Sequence, residues 1–77
     1  MIFNYNKLRG RIIEKYNKLS SFAMALGISN TALSFRLGNK VFFSQSEITR
    51  IVELLEIPIE EIHYYFFDVE VAREETV

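Results

Sequence analysis

Between Gly27 and Gly38 the chain carries Asn30, Thr31, Ser34 and Phe35, four side chains whose types and spacing suit the reading of base edges in duplex DNA. An asparagine amide is donor and acceptor together, which matches the adenine edge in the major groove, while threonine and serine hydroxyls serve several bases or phosphates. Phe35 is the unusual member. A thymine methyl is the one apolar feature a base pair offers in that groove, so Phe35 is expected to meet it. The four share a surface if Leu33 and Leu37 are the buried stripe of their helix. Successive residues turn by about 100°, which puts Phe35 about 200° from Leu33.

Phosphate anchors are expected to flank that helix: Lys18 and Ser20 at the start of the preceding one, Ser29 at the turn, and Arg36, Asn39 and Lys40 at its end. Such contacts would place the helix without reading sequence. The segment Phe22-Ala23-Met24-Ala25-Leu26-Gly27-Ile28-Ser29 has the form of a helix closed by a left-handed glycine. Ala23 allows two helix backbones to approach. Ile28 plugs the turn, and Ser29 caps the next helix by accepting from one of its free amides.

Charge supports this placement despite a net charge of −1 over 77 residues. Residues 1–40 hold seven cations (Lys7, Arg9, Arg11, Lys15, Lys18, Arg36, Lys40) against Glu14, a net of +6. Residues 41–77 hold Arg50 and Arg73 against nine acids, a net of −7. A molecule so divided would present one face to phosphates and turn the other away.

Composition narrows the chemistry. There is no cysteine and one histidine, so neither disulfides nor a thiolate or histidine-based metal site is expected. His63 has no paired nucleophile, and Glu60 and Glu61 are adjacent and diverge on a helix, so the chain reads as a non-enzyme with no cofactor, no metal and no small-molecule substrate. No apolar run approaches the roughly 20 residues of a membrane span. The expectation is a cytoplasmic protein forming one domain over residues 1–77, with a frayed tail from about residue 72.

Hydrophobic spacing predicts five helices. Helix 1 starts after Asn4 or Asn6 and reaches Tyr16, with Leu8, Ile12, Ile13 and Tyr16 inward and Arg9, Arg11 and Lys15 outward. Gly10 inside it implies a close helix contact or a misplaced boundary. Helix 2 ends at Leu26, burying Phe22, Ala23 and Leu26, and helix 3 spans Asn30 to Leu37. Ser44-Gln45-Ser46-Glu47 is a capping box that starts helix 4, which runs to about Glu56 with Ile48, Ile51, Val52 and Leu55 inward. Pro58 opens helix 5, expected to reach Phe66 with Ile59, Ile62 and Phe66 inward. The alternation from Phe67 to Val71 reads as a short strand, and Phe67, Val69 and Val71 are candidates for a dimer contact. The run Tyr64-Tyr65-Phe66-Phe67 reads as core packing or dimer contact rather than as a base-stacking platform, because it lies in the acidic half.

These residues resemble the Cro and repressor-type helix-turn-helix family of phage and bacterial regulators. The likeness rests on Phe22-Ala23, Leu26-Gly27-Ile28-Ser29, Leu33, the Gly38-Asn39-Lys40 turn, the Ser44 to Glu47 helix start, the Leu54-Leu55 to Ile57-Pro58 transition and the Tyr65-Phe66-Phe67 end. It extends from about Leu8 to Phe67. Two positions depart from the pattern: Leu19 stands where many relatives have glutamine, and Arg36 where many have isoleucine or leucine. The resemblance implies an all-α, five-helix, lambda-repressor-like domain that acts as a transcriptional regulator, commonly as a homodimer on a palindromic operator in a bacterial cell or phage-infected host. The two recognition helices of such a dimer enter major grooves roughly 34 Å apart. The alternative on the same fold is a protein-interaction module, antitoxin-like or antirepressor, whose target is another polypeptide.

Overall fold

The computed structural model describes residues 2–70, so the expectations for Val71 and for the tail lie outside the described residues. In chain order the elements are β1 (Ile2–Phe3), α1 (Asn6–Tyr16), α2 (Leu19–Leu26), α3 (Asn30–Leu37), α4 (Gln45–Leu55), a 3-10 turn (Ile59–Glu61) running into α5 (Ile62–Phe66), and β2 (Val69–Glu70). The fold is the expected class: mainly helical, with five α-helices and a short antiparallel pair of strands.

The helix ends follow from their residues. Gly27 takes a left-handed conformation (φ 89°), and its amide and that of Ile28 both donate to the Ala23 carbonyl, at 2.9 and 3.0 Å, closing α2. Two residues later the Ser29 hydroxyl accepts from the Ala32 amide at 3.0 Å and opens α3. At α4 the capping box is complete. Ser44 Oγ accepts from the Glu47 amide at 3.1 Å, and Glu47 Oε1 accepts from the Ser44 amide at 2.9 Å. That helix ends one residue before the expected boundary, because Glu56 adopts a left-handed conformation (φ 55°).

Several expectations are corrected. Ile13 is 46% exposed, since Leu8 and Ile12 already fill the inner stripe of α1 and Ile13 lies a further 100° round. Gly10 marks neither a close contact nor a boundary: a Cβ there would meet nothing within 4 Å, and the helix continues through it. Pro58 precedes a 3-10 turn rather than the first turn of an α-helix, and this leaves Ile59 81% exposed instead of inward. Ile57, Tyr65 and Phe66 supply the core contacts at that end. Of the anticipated strand, Val69–Glu70 forms among the described residues, and its partner is the N-terminal pair Ile2–Phe3, with Ile2 opposite Glu70 and Phe3 opposite Val69.

The core is continuous from end to end. Leu8, Ile12, Phe22, Leu33, Ile51, Leu55 and Phe66 are completely buried, one or more from each of the five helices. Each such side chain contributes about 1.5–3 kcal/mol relative to exposure. Near the strands the core turns aromatic: Phe43 meets Tyr5 and Phe66 edge to face, at 5.4 and 5.7 Å between ring centroids. The same core holds α3 through Leu33 and Leu37 and packs against Phe3 of the sheet.

Candidate functional site

Leu33 and Leu37 are both buried, and this sets the rotation of α3. Asn30, Thr31 and Ser34 are exposed along its outer face, and Phe35 is 44% exposed beside them. Lys18 and Ser20, at the start of α2, are exposed, as is Lys40 after α3. Neither lysine forms an ion pair among the described residues. Ser29 is exposed but its hydroxyl is already engaged as the α3 cap.

Arg36 and Asn39, also expected at phosphate, both make bonds within the molecule. The Arg36 guanidinium donates to Glu47 Oε1 at 2.9 Å and to the Ala32 carbonyl at 3.0 Å, with both ionic side chains only 19% exposed. It ties α3 to the start of α4. Burial pushes the Glu47 carboxyl up, but hydrogen bonds from Arg36 and from the Ser44 amide, with the nearby guanidinium charge, outweigh this and leave it below the usual carboxylate range. Asn39, in a left-handed conformation (φ 65°), spends its whole amide on β1. Its Oδ1 accepts from the Phe3 amide at 2.8 Å and its Nδ2 donates to the Phe3 carbonyl at 2.9 Å.

The division of charge along the sequence is partly cancelled in space. Arg11 of α1 donates to the carbonyls of Leu55 and Glu56 at 3.0 and 3.3 Å, a cation at the negative end of the α4 dipole. Lys15 pairs with Glu56 at 3.0 Å, and its hydrogen bond holds the exposed Glu56 carboxyl below its ordinary range. Arg11 and Lys15, expected to face outward, therefore bind the acidic half of the chain, as Arg36 does through Glu47. Lys7 lies 5.2 Å from the Tyr65 ring centre, in cation–π range. By contrast Glu53, Glu60, Glu61, Asp68 and Glu70 make no ion pair among the described residues.

An apolar pocket of about 220 Å³ is lined by Phe3, Tyr5, Phe42, Phe43, Ile48, Phe66 and Phe67. Phe42 (72% exposed) and Phe67 (54% exposed) form its rim, and Phe3 meets each edge to face, at 6.3 and 6.2 Å. Phe67 and Val69, two of the dimer candidates, are exposed here. His63 is exposed and lies against Tyr64, 4.0 Å between ring centres. Sequence reasoning missed the double role of Glu47, whose capping-box position was readable while its bond to Arg36 was not. The pocket and the bond from Asn39 to β1 were missed as well, because Phe3 is 36 positions from Asn39 and nothing local signals their meeting.

Residues 1–69 match the family described as Protein of unknown function (DUF739). The chain belongs to this family. Among solved structures it is similar to the modulator of repression (MOR) of the temperate bacteriophage TP901-1 from Lactococcus lactis. The two share 36% sequence identity with a TM-score of 0.77, covering 91% of this chain and 97% of that one. No curated protein matches it. The DUF739 chain thus has the fold of a small phage regulator, and the Cro and repressor-type likeness of α2 and α3 stands as a resemblance. Among the described residues no helix is long and apolar enough to cross a membrane.

Proposed function

We propose that this protein regulates phage repression by binding another regulatory polypeptide, in the manner of an antirepressor, within the host cytoplasm. The observation that carries the reading is its likeness to a modulator of repression along nearly the whole of both chains. The charge arrangement supports it. Phosphate contacts supply much of the affinity for DNA, and here Arg11, Lys15 and Arg36 are engaged inside the molecule while five carboxylates on the second half are unpaired among the described residues. No catalytic step belongs to this proposal.

A second reading, duplex binding through α3, is favoured by one specific observation: Asn30, Thr31, Ser34 and Phe35 form an exposed strip between Lys18 and Lys40. In that case a homodimer would be needed to contact enough base pairs. Calorimetric titration of the protein into a repressor from the same phage or prophage separates the two. A saturable heat with the repressor, and none with duplexes of the operator region at moderate salt, is the result expected; saturable heat with the duplexes alone would favour the second reading.

A further inference from the structure

The two strands of the small sheet have different outer edges. In β1 the Phe3 amide and carbonyl point away from β2, and the Asn39 side chain occupies both, standing where a third strand would. In β2 the Asn4 amide donates to the Asp68 carbonyl at 2.6 Å, so backbone groups at even positions face β1. Alternation turns the Val69 amide and carbonyl outward. Neither has a hydrogen-bond partner among the described residues, and both residues of β2 are exposed. Among the described residues one edge is closed by a side chain and the other is open, which is the condition for adding a strand from another chain.

The flanking side chains decide what fits. Val69 shares the sheet face of Phe3, its cross-strand partner, whose ring meets Phe67 and lines the aromatic pocket. Asp68 and Glu70 lie on the other face with no cation paired to them among the described residues. If a second copy added its own β2 in antiparallel register on Val69, Asp68 would stand opposite Glu70 of that copy, and one register step away Asp68 would meet Asp68. Like charges directly opposite destabilise a strand pair. We propose that the β2 edge accepts an extended segment of a partner protein in which basic residues alternate with apolar ones, the apolar side chains lying over Phe67 and the pocket and the basic ones against Asp68 and Glu70.

This rests on the protein-partner reading above and is tested separately from it. The probes are blocked five-residue peptides alternating valine with lysine or valine with glutamate, titrated into the isotope-labelled full chain and followed by NMR. The lysine peptide should shift the Val69 amide and slow its hydrogen exchange, and the glutamate peptide should bind about tenfold more weakly. Val69→Pro removes the outward N–H, a change tolerated on an edge strand, and should weaken the lysine peptide by about the same factor. The double variant Asp68→Lys, Glu70→Lys should prefer the glutamate peptide, and this reversal does not depend on tolerance of the proline. Equal response to both peptides, or no response at Val69, overturns the proposal. Protection of Val69 without peptide, rising with protein concentration, overturns it in favour of a second copy. Repressor binding that Val69→Pro leaves unchanged overturns the edge while leaving the protein-partner reading intact.

Discussion

The outer face of α3 and the strand end of the molecule both expose side chains that could bind a partner, but their charges are arranged in opposite ways. Around α3 the Arg36 guanidinium is drawn down onto Glu47, and Asn39 is turned away to hold Phe3. At the strand end the acids Asp68 and Glu70 stand unpaired among the described residues next to exposed Phe42, Phe67 and Val69. Of the three cations expected to meet phosphate around α3, Arg36 is bound within the molecule, while Lys18 and Lys40 form no ion pair among the described residues. The surface without residue types for base reading keeps an apolar patch, acidic groups and an open backbone edge. The difference shows that an ionic residue's function is set by its tertiary partner more than by its position along the chain.

The two regions differ at their surfaces, so the core beneath both should respond alike. Leu33→Ala under α3 and Phe66→Ala under the strand end, at 1% and 2% exposure, should each cost about 3–5 kcal/mol in denaturant unfolding. A marked inequality would mean that the two ends unfold separately. Glu47→Ala removes one arm of the capping box and the partner of Arg36, and about 1–2 kcal/mol should be lost. The same variant frees Arg36, so residual duplex affinity should rise at low salt, and an unchanged affinity would mean that the Arg36–Glu47 bond does not distinguish the two surfaces. In the parent chain the lowered Glu47 carboxyl contributes stability above the usual carboxylate range. That contribution disappears as pH falls through the lower value the carboxyl has in the folded state, and an acid titration of Glu47→Gln should lack it.

Asn39→Ala should cost about 1 kcal/mol by leaving the Phe3 amide and carbonyl unmet. It also opens the β1 edge, and increased amide exchange at Phe3 would report that directly. Phe35→Ser makes the smallest change. At 44% exposure its effect on unfolding should stay within about 0.5 kcal/mol, whereas a larger loss would show that the α3 face is packed rather than available.

Much of the helical frame was legible because its signals are local. Gly27 and Ser29 bracket the α2–α3 turn, Leu33 and Leu37 set one rotation, and the Ser44 to Glu47 box marks the start of α4. Of the sheet, β2 was legible from the alternation after Phe67, whereas β1 was not, since a two-residue strand by itself shows no alternation and its outer edge is held by Asn39 from far along the chain. Ile59 was misplaced because proline at a helix start and proline before a 3-10 turn look alike in sequence. The charge division was read correctly along the chain but not in space: the bonds from Lys15 to Glu56 and from Arg36 to Glu47 cross it, and no periodicity records such pairs.

The central claim is that the protein acts on a regulator rather than on DNA, and release of a labelled operator duplex tests it most directly. Fluorescence anisotropy is followed as the protein is added to a phage repressor–operator complex, with the duplex alone as the parallel titration. The account predicts that anisotropy falls toward that of free duplex in the first titration and stays flat in the second. A steep, salt-sensitive rise with duplex alone, diminished by Asn30→Ala and Phe35→Ala, would contradict it.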